Sequence, residues 1–541
     1  MTRPASDEVR AETDPDRFPT DCDYLVIGGG SGGSAVAGRL AAESDARVVL
    51  VESGGSNQRS DVIDPAKWPE LAAGNAQWAY RTVPQSGTND RVHVWSMGKV
   101  LGGSSSVNGM MYMRGAPWDY DGWAAAGNAG WDSETVYGAF REIESYGEAD
   151  SAVRGTGGPV RVERIEPGHP VSAAFLEACE ECGYRRSPDF NGLDPEGYGL
   201  HQLNVAEGRR QDSATAFLAA AGTKNLIVLL ETSAVKLVFD TRSGRVTEVL
   251  LRAGDGQTSR LAVQQEVIVC AGAIGSPQLL MLSGIGPQSE LRRLGIDPVL
   301  DLPGVGENLH DHVGVPVVFE ASRPLPASHY QLVEAGLYCR TSPERSHYDA
   351  QIPLQLFPYV RPGFESYDFV NGFTMYPGIL KPRGRGRVAL RTSDPSDQPM
   401  IDPAYLTAEE DLTMLIGVME VARRLGASPA FDEWRTAEAV PGAEAESRER
   451  AAAYVRSAAG TYFHPVGTCK MGPGPECVVD SELIVHGTEN LRVADAAIMP
   501  EIPSGNTNVP TMMIGWRAAQ FILRRTAAAE RTAVYAEGDT A

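Results

Sequence analysis

Apolar and polar positions change their period several times along the 541-residue chain. Asp23-Tyr24-Leu25-Val26-Ile27 is a short apolar run of β type that enters a glycine cluster. Residues 34–42 follow with small and apolar side chains at helical spacing, and residues 46–51 are strand-like again. Strand, helix and strand within about thirty residues predict a βαβ unit, and with it a doubly wound parallel sheet. The same texture returns at residues 266–270, which run into the helical stretch 278–282, and at 491–495, which lead through a Pro/Gly/Asn loop into the apolar segment 512–523. Between them, residues 226–240 and 246–269 alternate apolar and polar positions around Gly-containing turns, which predicts an antiparallel meander.

Residues 320–455 differ in character. Pro, Tyr and Phe concentrate at 356–376, and two Ala/Glu-rich helical stretches follow at 409–426 and 444–459. The predicted fold is α/β (α+β). A Rossmann-type nucleotide-binding domain spans 21–160, 206–319 and 456–528, and an inserted, mixed-sheet second domain spans 161–205 and 320–455. Residues 1–20 are expected to be a disordered polar arm, and 529–541 a flexible tail.

Composition narrows the function classes. The net charge of −22 opposes non-specific binding of nucleic acid or anionic membranes, both of which are polyanions. Seven cysteines, sparse and odd in number, do not resemble a secreted disulfide framework. Residues 1–20 hold no apolar run of signal-peptide type, and no stretch of about eighteen apolar residues occurs, so a cytoplasmic protein without a membrane span is expected.

The glycine cluster Gly28-Gly29-Gly30-Ser31-Gly32-Gly33 fits G-x-G-x-x-G at a strand end that opens a helix. Gly28, Gly30 and Gly33 allow the tight turn, and the backbone N–H groups around Ser31 can approach a pyrophosphate. Glu52 ends the second strand 24 residues after Gly28, where its carboxylate can accept ribose hydroxyls. An acid there disfavours NADP but leaves FAD and NAD open.

Longer segments narrow that choice. Gly98-Lys99-Val100-Leu101-Gly102-Gly103-Ser104-Ser105-Ser106-Val107-Asn108-Gly109-Met110 resembles the first signature of the glucose–methanol–choline (GMC) flavoprotein oxidoreductases. Gly272-Ala273-Ile274-Gly275-Ser276-Pro277 resembles their second. His464-Pro465-Val466-Gly467 and Asn506-Thr507-Asn508-Val509-Pro510 resemble their C-terminal active-site segments. The resemblance implies FAD, with Gly28, Gly30, Gly33 and Glu52 on its ADP half and Val235 backing the adenine. Leu101, Asn108, Gly109 and Met110 would flank the isoalloxazine and ribityl chain. Asp495, Asn508 and Val509 would lie near the pyrophosphate and the pyrimidine end of the ring. Some members attach FAD through a His four residues before the signature Lys. That position is Trp95 here, so non-covalent FAD is expected.

The resemblance also implies oxidation of a CH–OH group, with hydride passing to flavin N5. It makes His464 the general base and Asn506 its partner, since an amide can hold the substrate oxygen but not readily take a proton. Histidine suits the task because its ordinary pKa lies near working pH. His310-Asp311-His312 sits in a loop that resembles a family segment without a metal role, and no metal is expected. Cys179 and Cys182 form a lone C-x-x-C within a predicted helix.

Choline-oxidising members place a glutamate just after the Asp-His of that loop, where Gly314 stands here, so a cationic substrate would lack its counter-charge. An acid such as Glu365 in the second domain is the remaining alternative. The aromatic stretch at 356–376, with Tyr462 and Phe463, suggests an apolar pocket wall and a primary aliphatic or aryl alcohol. The competing readings are a hydroxynitrile-lyase-like flavoprotein, a choline or amino-alcohol dehydrogenase, an NAD enzyme and a silent flavin-binding scaffold. The electron acceptor, O₂ or a quinone-like carrier, and the oligomeric state are left open.

Overall fold

Two large sheets meet along one cavity in the computed structural model, which describes residues 11–71, 74–147, 153–165, 168–219, 224–240, 242–328, 330–359 and 371–538. The first sheet grows from β1 (Asp21–Ile27), α1 (Ser31–Glu43) and β2 (Val48–Val51). β3 (Leu226–Leu229) pairs parallel with β2. β4 (Thr232–Asp240), β5 (Arg245–Ala253) and β6 (Thr258–Val269) form the antiparallel meander, and β6 also runs parallel beside β1 before α2 (Gly272–Leu282). All four residues of β2 are buried, as expected of a parallel strand covered on both faces.

The second sheet has nine strands. At its cavity side β7 (Val313–Gly314) lies between β8 (Gly378–Ile379) and a strand at Gly460–Thr461. α3 (Glu409–Gly426) packs on this sheet with Leu412, Leu415, Met419, Ala422 and Leu425 buried at helical spacing. Three acids in its first turn and Arg423 and Arg424 in its last complement the helix dipole. α4 (Arg448–Ala458) then leads into β9 (Gly460–Thr461). The chain returns to the first sheet through β10 (Leu491–Val493), parallel to the end of β6, and α5 (Asn508–Gly538), which lies along α1.

Several expectations shift. β3 extends the parallel sheet instead of opening the meander, because Leu226–Leu229 finds its partner in β2. The expected disordered arm is ordered from residue 11: Ala11–Glu12 adds a parallel strand beside β3, and Asp14 caps the turn Pro15–Arg17. Residues 1–10 lie outside the described residues. The expected flexible tail is helical as far as Gly538, as the end of α5. The second sheet also claims β7, β9 and the first three residues of the strand Val317–Ala321, which the sequence assigned to the nucleotide-binding part. Two-residue strands built on Gly314 and Gly460 carry no periodicity that could reveal them. Among the described residues no helix is long and apolar enough to cross a membrane.

Candidate active site

The nucleotide end of the cavity begins where β1 meets α1. Gly28 has φ +101°, and a Cβ there would lie 2.7 Å from the Cys270 carbonyl carbon. A Cβ on Gly33 would overlap the Gly28 carbonyl oxygen, so only glycine lets the first turn of α1 close over the strand end. Gly30 caps α1 without a side-chain hydrogen bond, and Gly30, Ser31 and Gly32 line the cavity. Ser31 Oγ donates to Asn508 Oδ1 at 2.7 Å, which brings the N-terminus of α5 to that of α1. Asp495 closes a third helix start, accepting from Gly272 N at 2.8 Å and Ser276 Oγ at 2.5 Å. Glu52 is buried at the end of β2 and accepts from Gly29 N at 2.8 Å and Gly54 N at 2.7 Å. Burial pushes its pKa up to about 7. An uncapped helix N-terminus beside a strand-end carboxylate fits the pyrophosphate and ribose of a dinucleotide.

Histidine chemistry occupies the other end. His312 Nε2 donates to the Leu380 carbonyl at 3.1 Å, which leaves His312 Nδ1 as the acceptor of a neutral ring. His464 Nδ1, 2.9 Å from His312 Nδ1, must then carry the proton between them. The lone pair of His464 therefore sits on Nε2, 3.2 Å from Asn506 Nδ2 and on the cavity side. Burial lowers the His464 pKa to about 3 and holds His312 well below its ordinary value, so both rings are neutral. Asn506 Oδ1 is buried and has no hydrogen-bond partner among the described residues.

Asp311 fixes the segment that carries His464. Its Oδ1 accepts from His464 N at 2.8 Å, and its Oδ2 accepts from Thr461 Oγ1 at 2.6 Å and from the Tyr405 hydroxyl. Burial raises the Asp311 pKa to about 6. The backbone between them is bent, with Phe463 at φ +63°. Tyr462 and Tyr376 line the cavity beside His464, their rings 4.9 Å apart, and Tyr359 stands 5.5 Å from Tyr376.

Most of the residues singled out in the sequence face this one cavity. Gly28, Gly30, Ser31, Glu52, Asp495 and Asn508 line it at the nucleotide end. Asn108, Gly109 and Met110 line its middle, and His464 and Asn506 its far end. Asn108 Oδ1 accepts from Met110 N and Arg210 Nη1, both at 3.0 Å. Gly33, Leu101, Val235 and Val509 are buried but are not among the residues lining the wall. Leu101 packs behind Gly29, Val235 is the bulged residue of β4, and Val509 sits in the core at the second residue of α5. Trp95 is fully buried, and His93 Nε2 bonds Thr88 Oγ1 at 2.9 Å. Cys179 is buried and Cys182 exposed at the end of the helix Pro170–Glu181. From the aromatic stretch Tyr359 and Tyr376 reach the wall, while residues 360–370, Glu365 included, lie outside the described residues.

Sequence reasoning missed Asp311, His312, Thr461 and Tyr405. The signal available was the run His310-Asp311-His312 between Leu309 and Val313: three titratable side chains in an apolar loop. Its spacing alone reads as a metal pair, whereas His310 and His312 bond carbonyls and His464.

Comparison with known proteins settles the family. The GMC oxidoreductase models match residues 22–314 and 382–515. The chain belongs to the GMC oxidoreductase family. An "alcohol dehydrogenase [acceptor]" from Pseudomonas putida is 35% identical over 530 residues, covering 93% of this chain and 96% of that one. A choline oxidase from Arthrobacter globiformis is 36% identical, covering 95% and 96%. Among solved structures, pyridoxine 4-oxidase from Mesorbium loti matches with TM-score 0.88 and 32% identity over 92% of this chain and 99% of that one. This GMC oxidoreductase is an FAD-dependent enzyme that oxidises alcohols at the CH–OH group.

Proposed function

We propose that this enzyme oxidises an uncharged primary alcohol, aliphatic or aryl, with His464 as general base and Asn506 as the residue that orients the carbinol oxygen. The observation behind this is the relay from the Leu380 carbonyl through His312 to His464, which leaves the unprotonated lone pair of His464 on Nε2 beside Asn506. A substrate hydroxyl at that point gives its proton to Nε2 and takes the Asn506 amide as donor. A positioned base of this kind contributes about 10²–10⁴-fold. FAD, when bound, supplies the hydride acceptor. Gly30 and Ser31 at the start of α1 would hold its pyrophosphate and Glu52 its ribose, while Asn108, Gly109 and Met110 would flank the ring system and Asp495 and Asn508 would lie near the pyrophosphate and the pyrimidine end of the ring. The cofactor is held without a covalent bond, since Trp95 stands where other members carry the linking His. Electrons leave to O₂ or a quinone-type carrier.

Relatives named for choline suggest a cationic substrate. The cavity argues otherwise: its acidic lining residues among those described are Glu52 and Asp495, both at the nucleotide end. A quaternary ammonium beside His464 would be buried without a counter-charge. The test is anaerobic addition of a panel of alcohols to the purified enzyme while its visible flavin band is followed. Bleaching by benzyl or linear primary alcohols, and not by choline, is expected. A flavin that no alcohol bleaches contradicts the proposal and favours a lyase.

A further inference from the structure

Gly314 of β7 and Gly378 of β8 face each other across the ladder, and Gly460 of β9 pairs with Gly314 from the other side. The ring of Tyr462 lies against the first two. A Cβ on Gly378 would stand 2.6 Å from the Tyr462 hydroxyl oxygen and 2.7 Å from Cζ. A Cβ on Gly314 would overlap Cε2 of the same ring and come within 2.9 Å of both Tyr376 Cε1 and the Pro377 carbonyl oxygen. The Tyr462 hydroxyl donates to the Tyr376 carbonyl, so the ring is also fixed at its far end. Its centroid lies 5.9 Å from that of His464.

We infer that Gly314 and Gly378 act through Tyr462 to set the width of the substrate slot in front of His464, and that the recessed slot selects a flat, uncharged arylmethanol over a linear alcohol. This rests on the proposed alcohol oxidation and names its substrate class. Two adjacent positions without side chains let the Tyr462 ring lie on the backbone of the sheet. A single Cβ at either one would drive the ring outward by roughly 1 Å, the difference between the distances above and an ordinary carbon contact of about 3.5 Å. That movement is into the cavity, because the other side is strand backbone. The recessed ring continues the wall through Tyr376 and Tyr359, three aromatic rings in sequence that suit a stacked or edge-on aryl group. A short aliphatic chain uses little of that wall and little of the width.

The experiment compares benzyl alcohol with 1-butanol as reductants of the flavin in the holoenzyme. The variants are Gly314→Ala, Tyr462→Ala and the double variant, with flavin content measured for each. Wild type is expected to prefer benzyl alcohol. Gly314→Ala should lower kcat/KM for benzyl alcohol about tenfold or more while 1-butanol stays within about threefold. In the Tyr462→Ala background the same glycine change should alter the benzyl-to-butanol ratio less than about twofold, because the ring it meets first is gone and the remaining contacts, to Tyr376 and the Pro377 carbonyl, are longer. Gly378→Ala, which meets the same ring from the next strand, stands in if Gly314→Ala does not retain flavin. Recovery of flavin binding in the double variant would equally support the inference. Equal loss on both alcohols, or effects of Gly314→Ala and Tyr462→Ala that simply multiply, overturn the width gauge and leave the alcohol oxidation standing. A wild-type flavin reduced by no alcohol overturns both.

Discussion

At the nucleotide end of the cavity the chemistry is carried by backbone N–H groups and two buried carboxylates. At the His464 end it is handed from side chain to side chain. The first end is nucleated within a short stretch of chain, since Gly28, Gly30, Gly33 and Glu52 all belong to one βαβ unit, and Asp495 and Asn508 join it from the C-terminal part. The second draws Asp311 and His312 from one loop, Tyr405 from another, and Thr461 and His464 from beyond α4. A backbone cradle tolerates many side chains so long as its glycines remain. A side-chain relay fails in graded steps, according to which link is lost.

Substitutions at the two ends should therefore differ in kind. The largest effect is expected from Gly33→Val, whose Cβ overlaps the Gly28 carbonyl. It should yield protein nearly devoid of flavin, read from the visible absorbance of the purified enzyme, and a yellow variant would show that the cradle is more yielding than described. Asp311→Ala keeps the cradle but frees His464 N, Thr461 and Tyr405 together. Flavin content should hold while anaerobic flavin reduction slows about a hundredfold, since loss of orientation alone costs that much. His312→Ala removes only the group that fixes the His464 tautomer, and a smaller loss of about tenfold is expected in the same measurement.

The smallest effect concerns pH. His310 and His464 are lowered by burial to about 3, and His312 lies well below its ordinary value. As pH falls below about 6.5, the unfolded chain takes up protons at these rings that the folded protein refuses, so their contribution to stability is complete above that pH and is lost on acidification. Glu52 and Asp311, raised to about 7 and about 6, act in the opposite sense: their contribution is present in acid and lost as pH rises through those values. His310 donates to Asn308 O and accepts from Ile502 N, contacts that only a neutral ring satisfies. Thermal unfolding of His310→Gln should thus fall less between pH 7 and pH 5 than that of wild type, whatever the offset between the two curves.

The same contrast governs how much could be read from the sequence. The first sheet was legible because β1, β2 and β6 are apolar runs that end in glycine-rich turns, and local pattern is what a sequence displays. β7, β8 and β9 are two residues each and rich in glycine, so the floor beneath Tyr462 left no trace in periodicity. His464 and Asn506 stand out in the sequence through long segments that resemble the family's. Their supports were not, because the hydrogen bonds from His464 to Asp311 and His312 span 153 and 152 residues and exist only once the second sheet has formed. Val235, Leu101 and Val509 are buried off the cavity wall, so any part they play is through backbone or packing and not through an exposed side chain.

The central claim is that His464 takes the carbinol proton through Nε2. Its most direct test is the rate of anaerobic flavin reduction by benzyl alcohol in wild type and His464→Ala, each with its flavin content measured. The account predicts full flavin binding in both and a rate about 10²–10⁴-fold slower in the variant. Reduction in His464→Ala at close to the wild-type rate would contradict it.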